Sequence, residues 1–101
     1  MGTITVRCSD GLMNEIAVVS WSFNLDPSTL QEALTSESEV SEFFTEILNG
    51  PHFVQLKTCN RLEYYFIENS PVALSGIPTG YRYLRGQHAA EHLILVTSGL
   101  D

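Results

Sequence analysis

Between Asn14 and Phe23 the chain reads NEIAVVSWSF, with Ala17, Val19, Trp21 and Phe23 at one parity and Ile16 and Val18 at the other. Branched and aromatic side chains on both parities predict a central, largely buried strand. The periodicity then changes. Asp26 can cap a helix and Pro27 suits its first position, so a short helix is predicted over about 27–34. Ser36 and Glu39 have capping-box spacing, and Val40, Phe43, Phe44, Ile47 and Leu48 fall at i, i+3, i+4, i+7 and i+8. That single apolar stripe predicts a second helix, ended by Asn49-Gly50-Pro51.

Alternation returns in HFVQLK, with Phe53 and Gln55 against Val54 and Leu56, and in LEYYFIEN, with Leu62, Tyr64 and Phe66 against Glu63, Tyr65 and Ile67. These two strands flank Thr58-Cys59-Asn60-Arg61. Direct hairpin pairing and an offset arrangement are both open, but either puts Cys59 at a strand-to-strand junction, where side chains reach a cleft. Residues 70–80 (SPVALSGIPTG) read as a loop with at most one helical turn, YRYLR as a further short strand. Gln87–Thr97 reads as a helix with Ala89, Leu93 and Val96 inward and Gly99 as its stop. Residues 1–12 hold a short strand at Thr3–Arg7 and a turn at Asp10-Gly11, and Met13 is an equally good start for the essential domain. The order β–α–α–β–β–loop–β–α lacks regular βαβ alternation. It predicts an α+β fold, a small mostly antiparallel sheet with helices packed on one face.

At 101 residues the chain is one domain, with 44% hydrophobic residues to build a core and too little length for a complete two-substrate enzyme. No apolar run approaches the roughly 18–20 residues that span a bilayer, and the first ten residues lack the apolar stretch of a secretory signal, so a cytoplasmic protein with no membrane partner is expected. The net charge of −7 is the wrong sign for holding many phosphates. It is unevenly placed. Residues 1–56 carry Arg7 against eight acids, whereas residues 57–101 balance Lys57, Arg61, Arg82 and Arg85 against four acids. An anionic substrate would approach on that second side.

Cys8 and Cys59 form no CxxC pair, and two cysteines without a secretion signal read as free thiols. Two Cys and three His are too scattered for a structural zinc site, so no metal is expected. His88 and His92 stand at i, i+4 on one helix, a spacing that can hold a metal, but no third ligand accompanies them. Cys59 lies two residues from Arg61, and a cationic neighbour favours the thiolate that acts as a nucleophile. Local features leave open whether it is that nucleophile or a small residue at a strand end. Arg61 can offer a forked donor to the side-chain carboxylate of a substrate, for which guanidinium suits better than ammonium; its alternative is a pair with Glu63 or another acid on the sheet surface.

Lys57-Thr58-Cys59-Asn60-Arg61-Leu62-Glu63-Tyr64-Tyr65 resembles the S-T-C-N-R-x-E-x-Y segment of glutamyl-tRNA reductases, and residues 92–101, HLILVTSGLD, resemble that family's H-L-x-x-V-x-S-G-L-D. Ala89 stands three residues before the histidine, as it commonly does there. Two near-complete motifs in the right order make the match specific, and it covers about residues 13–101. The resemblance implies the catalytic, substrate-binding domain of an enzyme acting on glutamyl-tRNA. A cysteine thiolate attacks the glutamyl ester, and NADPH reduces the resulting thioester to glutamate-1-semialdehyde for tetrapyrrole synthesis. Cys59 matches the nucleophile, Thr58, Asn60 and Arg61 the rest of the substrate-binding tetrapeptide, and His92 the family's catalytic histidine.

The sequence has no G-x-G-x-x-G after a strand. By the resemblance, the NADPH-binding and dimerisation domains follow the S-G-L-D segment, so the isolated chain is expected to form or hydrolyse an acyl-enzyme at most. A homodimer of the full-length protein and a downstream aminomutase partner are implied in the same way. One stretch departs from the family: N-H-K-T-A-P-x-x-x-R-E is replaced by Ser22-Phe23-Asn24-Leu25-Asp26-Pro27-Ser28-Thr29-Leu30-Gln31-Glu32. The alternative is a degenerate member acting as a non-catalytic tRNA- or protein-binding regulatory domain. A cysteine-dependent hydrolase unrelated to tRNA is disfavoured by the second motif.

Overall fold

The computed structural model describes residues 16–68 and 72–97. The expected strand at Thr3–Arg7, the Asp10-Gly11 turn, Cys8 and the Gly99 stop lie outside the described residues. Strands β2 (Phe53–Thr58) and β3 (Arg61–Ile67) pair directly, with Thr58 opposite Arg61, so Cys59 and Asn60 alone form the connection. This resolves the open pairing in favour of a tight hairpin. On its other edge β3 pairs with β1 (Ile16–Ser22), Val19 opposite Tyr64, and β1 pairs with β4 (Arg82–Arg85), Val18 opposite Leu84. The order is β2-β3-β1-β4 and every pair is antiparallel.

The α+β architecture and the antiparallel sheet are as expected, but the helices do not share one face. Ala17, Val19 and Trp21 of β1, with Leu62, Tyr64 and Phe66 of β3, pack beneath α1 (Pro27–Thr35) and α2 (Glu37–Ile47). The opposite parity, Val18 and Tyr65, packs against Ala89 and Leu93 of α3 (Gln87–Thr97). The physical reason is visible in β1, whose centre is apolar on both parities and is buried at five successive positions. Such a strand needs cover on both sides.

Local chemistry sets the helix ends. Asp26 caps α1 by accepting from the Ser28 and Thr29 backbone N–H groups, and Pro27 opens it. The expected capping box at Ser36 does not form. Ser36 closes α1, sending both its N–H and its hydroxyl back to the Glu32 carbonyl, so its side chain is committed before α2 begins. Asn49 (φ 60) and Gly50 (φ 141) end α2 in left-handed backbone. Residues 72–81 contain no helix and are drawn onto the core by buried Ile77 and by Trp21 Nε1, which donates to the Pro78 and Thr79 carbonyls.

Candidate active site

The sheet face under α3 changes character towards the hairpin tip. Ser20 of β1 stands opposite Glu63 of β3, and Ser22 stands opposite Arg61. Period two puts Arg61, Glu63 and Tyr65 on this face together. Glu63 is fully buried beneath α3, an arrangement that is costly for a carboxylate unless it is densely bonded. Its Oε2 accepts from Ser20 Oγ at 2.7 Å, Arg61 Nη1 at 2.9 Å and His92 Nε2 at 2.5 Å, and its Oε1 accepts from Tyr65 Oη at 2.9 Å.

Burial works to raise the Glu63 carboxyl, but the hydrogen bonds from His92, Ser20, Arg61 and Tyr65 together prevail and hold it below the ordinary carboxylate range. Glu63 is therefore ionised at neutral pH. An ionised carboxylate only accepts, so the proton shared with His92 belongs to the imidazole Nε2. That proton assignment follows from the partner.

Arg61 and His92 converge on one cleft of about 100 Å³, bordered also by Ser20, Ser22, Asn24 and Arg82. A second, wider cleft of about 380 Å³ adjoins it, sharing Ser22, Asn24 and Arg61 and adding Phe23, Thr58 and Asn60. Cys59 is exposed in the turn between Thr58 and Asn60. The Phe23 N–H, just past the end of β1, donates to the Asn60 carbonyl at 2.9 Å and ties the turn to that strand end, and within the hairpin the Asn60 N–H donates to Thr58 Oγ1. The stretch that departs from the N-H-K-T pattern thus lines both clefts.

Sequence reasoning named Cys59, Thr58, Asn60, Arg61 and His92, and missed Glu63 as the residue that joins two of them. The available signal was its place two residues after Arg61, on the same strand face, where an acid interrupts an otherwise apolar alternation. Ser20 carried the same signal in VVSWS. Arg61 makes the Glu63 pair weighed as its alternative while also lining both clefts. His88 is exposed whereas His92 is buried at 6%. Among the described residues no group of three or more His, Cys, Asp or Glu side chains is placed to hold a metal ion. Among the described residues, too, no helix is long and apolar enough to cross a membrane.

Of the four bases on the less acidic side, three have acidic partners. Lys57 Nζ lies 2.6 Å from Glu37, Arg61 pairs with Glu63, and Arg85 Nε lies 3.1 Å from Glu68. The Arg82 side chain has no hydrogen-bond or ion-pair partner among the described residues.

Comparison with known proteins agrees with the motif reading. Residues 19–101 match the family model described as the glutamyl-tRNA(Glu) reductase N-terminal domain. The chain is 32% identical over 92 residues to the glutamyl-tRNA reductase of Thermoplasma acidophilum, covering 88% of the chain and 21% of that relative. It is 33% identical over 106 residues to the glutamyl-tRNA reductase of Corynebacterium glutamicum strain R, covering 85% of the chain and 23% of the relative. The chain therefore spans between a fifth and a quarter of the length of these curated relatives. No solved structure matches it.

Proposed function

Because the chain belongs to the glutamyl-tRNA reductase N-terminal domain family, we propose that it is the thioester-forming module of an NADPH-dependent glutamyl-tRNA reductase serving tetrapyrrole synthesis. The observation that carries this reading is the placement of exposed Cys59 in a two-residue turn whose flanking residues line a cleft adjoining the one that holds His92.

In the proposed step the Cys59 thiolate attacks the carbonyl carbon of the ester joining glutamate to the tRNA ribose. A carbon–sulfur bond forms, the carbon–oxygen bond to the ribose breaks, and the departing oxygen takes up a proton. The products are a glutamyl thioester and free tRNA. Thr58, Asn60 and Arg61 border the space beside the nucleophile and hold the glutamyl group. His92, held at the cleft by its Nε2–H bond to Glu63, is assigned the orientation of the ester during transfer.

The described residues do not fit a dinucleotide cofactor. Every strand pair is antiparallel, and the sequence lacks the glycine-rich turn that a Rossmann-type site needs. Hydride transfer from NADPH is accordingly assigned to a part of the reductase outside these residues.

The test is transfer of radiolabelled glutamate from charged tRNA to the protein. Label that stays through denaturation, is released by hydroxylamine and is absent in Cys59→Ser supports the thioester. A folded chain that binds charged tRNA and takes up no label would overturn it in favour of a non-catalytic tRNA-binding domain.

A further inference from the structure

One aromatic ring stands outside the core. Phe43, Phe44, Phe53 and Phe66 all pack into the cluster beneath α1 and α2, whereas Phe23 is 55% exposed just past the end of β1. Its backbone is nevertheless fixed. The Phe23 N–H donates to the Asn60 carbonyl at 2.9 Å, which carries the β1–β3 pairing one residue beyond Ser22 and Arg61 and sets Phe23 beside the cysteine turn. The ring lines the wider cleft with Ser22, Asn24, Thr58, Asn60 and Arg61. Arg61 is the one charged side chain in that lining, and it is already paired with Glu63. The wider cleft therefore offers an aromatic face, hydroxyls and amides without an uncompensated charge.

From this we infer that Phe23 is a stacking platform for the nucleobase of the 3′-terminal adenosine of charged tRNA. The inference rests on the thioester reading for the identity of the ligand. When the ester carbonyl reaches Cys59, the ribose is one bond away and carries its base with it, so the base must lie close to the cysteine turn. With the glutamyl group beside Thr58, Asn60 and Arg61, the wall left for the nucleoside is the strand end from Ser22 to Asn24. About 380 Å³ is more than a five-carbon acyl group fills. A lining without free charge suits a neutral base and ribose, whereas a phosphate would call for an unpaired cation. Every base has a π-face that can stack on a phenyl ring, and holding the base there aligns the ester with the thiol.

The experiment is an NMR titration of the 101-residue chain with 3′-deoxy-3′-(L-glutamylamino)adenosine, a stable amide of the acceptor end, and with the same glutamylamino ribose lacking its base. Upfield shifts of the Phe23 ring protons are expected with the first compound alone. It should also bind at least about tenfold more tightly than the second, roughly 1.4 kcal/mol. Phe23→Leu keeps an apolar side chain and removes the aromatic face, so the preference for the base should vanish there and persist in Phe23→Tyr. A native amide spectrum away from the cleft reports that each variant keeps its fold. Absence of binding to the wild-type chain, equal affinity for the two compounds, or an undiminished preference in Phe23→Leu overturns the inference. The two proposals fail separately. A base preference that depends on Phe23 without label transfer to Cys59 sinks only the thioester reading, and label transfer with an indifferent Phe23 sinks only this one.

Discussion

Glu63 Oε2 lies 2.5 Å from His92 Nε2, a buried contact that fastens α3 to β3. The same oxygen holds Arg61 at 2.9 Å, two residues beyond Cys59 in the chain. One carboxylate therefore fixes both the helix that carries the histidine and the strand that leads out of the cysteine turn. Neither residue can shift without disturbing the other's acceptor.

Replacing Glu63 with Gln is expected to destabilise the domain by about 3 kcal/mol, because an NH2 group then faces donors and the Arg61 and His92 sites lose their charged acceptor. Urea unfolding measures this. A loss below about 1 kcal/mol would mean that the network contributes little beyond ordinary surface pairing. The variant should also blunt acyl transfer to Cys59 more than Tyr65→Phe, which removes only the bond to Oε1.

The pH dependence has two limbs of opposite sign. Glu63 is held below its ordinary value, so its contribution is fully present above the unfolded carboxylate pKa of about 4.3 and is lost as pH falls through the lower folded value. Tyr83 is pushed up to about 12, first by burial and then by its hydrogen bond to Glu68, so its contribution is full below about pH 10 and is lost as pH rises towards 12. Melting temperature should fall on both sides of a neutral plateau. Tyr83→Phe should remove part of the alkaline limb only, and a modest part, since the residue is 40% exposed. An alkaline limb unchanged in that variant would contradict the assignment.

Much of this was legible in the chain because period and punctuation are local. The stripe from Val40 to Leu48, the Asp26-Pro27 start and the Asn49-Gly50-Pro51 stop each act within a few residues, and the structure follows them. The side of the sheet that α3 covers was not local information. It depends on β4 pairing with β1, a contact between segments more than sixty residues apart, and on the chain turning at Gly86 (φ 68) onto the face opposite α1 and α2. The site divides in the same way. The tetrapeptide around Cys59 is contiguous and was found, like His92, by its residues, whereas Ser20 and Glu63 meet only through strand register, and His92 reaches Glu63 only because α3 packs over that face. Ser36 shows a third kind of miss, a capping signal correctly spaced but already spent on closing the preceding helix.

Gly80→Ala tests how tightly the loop leading to β4 is seated. Gly80 has φ +84, and an added Cβ would run into the Thr29 side chain, so left-handed strain of roughly 1–2 kcal/mol adds to a clash with α1. Gly76→Ala is the control. Its Cβ would press on the Phe43 ring edge at 2.7 Å without a left-handed backbone, so Gly80→Ala should lower the melting temperature more. Equal shifts would indicate that the left-handed backbone at Gly80 adds nothing.

Trp21 is the only tryptophan in the sequence and is fully buried, which makes it a probe of the same loop from the sheet side. Its ring meets Tyr81 edge-on at 5.8 Å and Tyr64 at 6.4 Å, and its Nε1–H divides between the Pro78 and Thr79 carbonyls at 3.3 and 3.2 Å. Trp21→Phe removes that donor and leaves a void where the second ring stood, at a cost of about 2–3 kcal/mol. The two terms can be separated by where the damage falls. A void under the core would lower global stability and speed amide exchange throughout the sheet, whereas loss of the donor would speed exchange first in residues 77–81, which reach the core through it. Unchanged exchange at 77–81 in a globally destabilised variant would show that burial of Ile77, rather than the indole hydrogen bond, holds the loop in place.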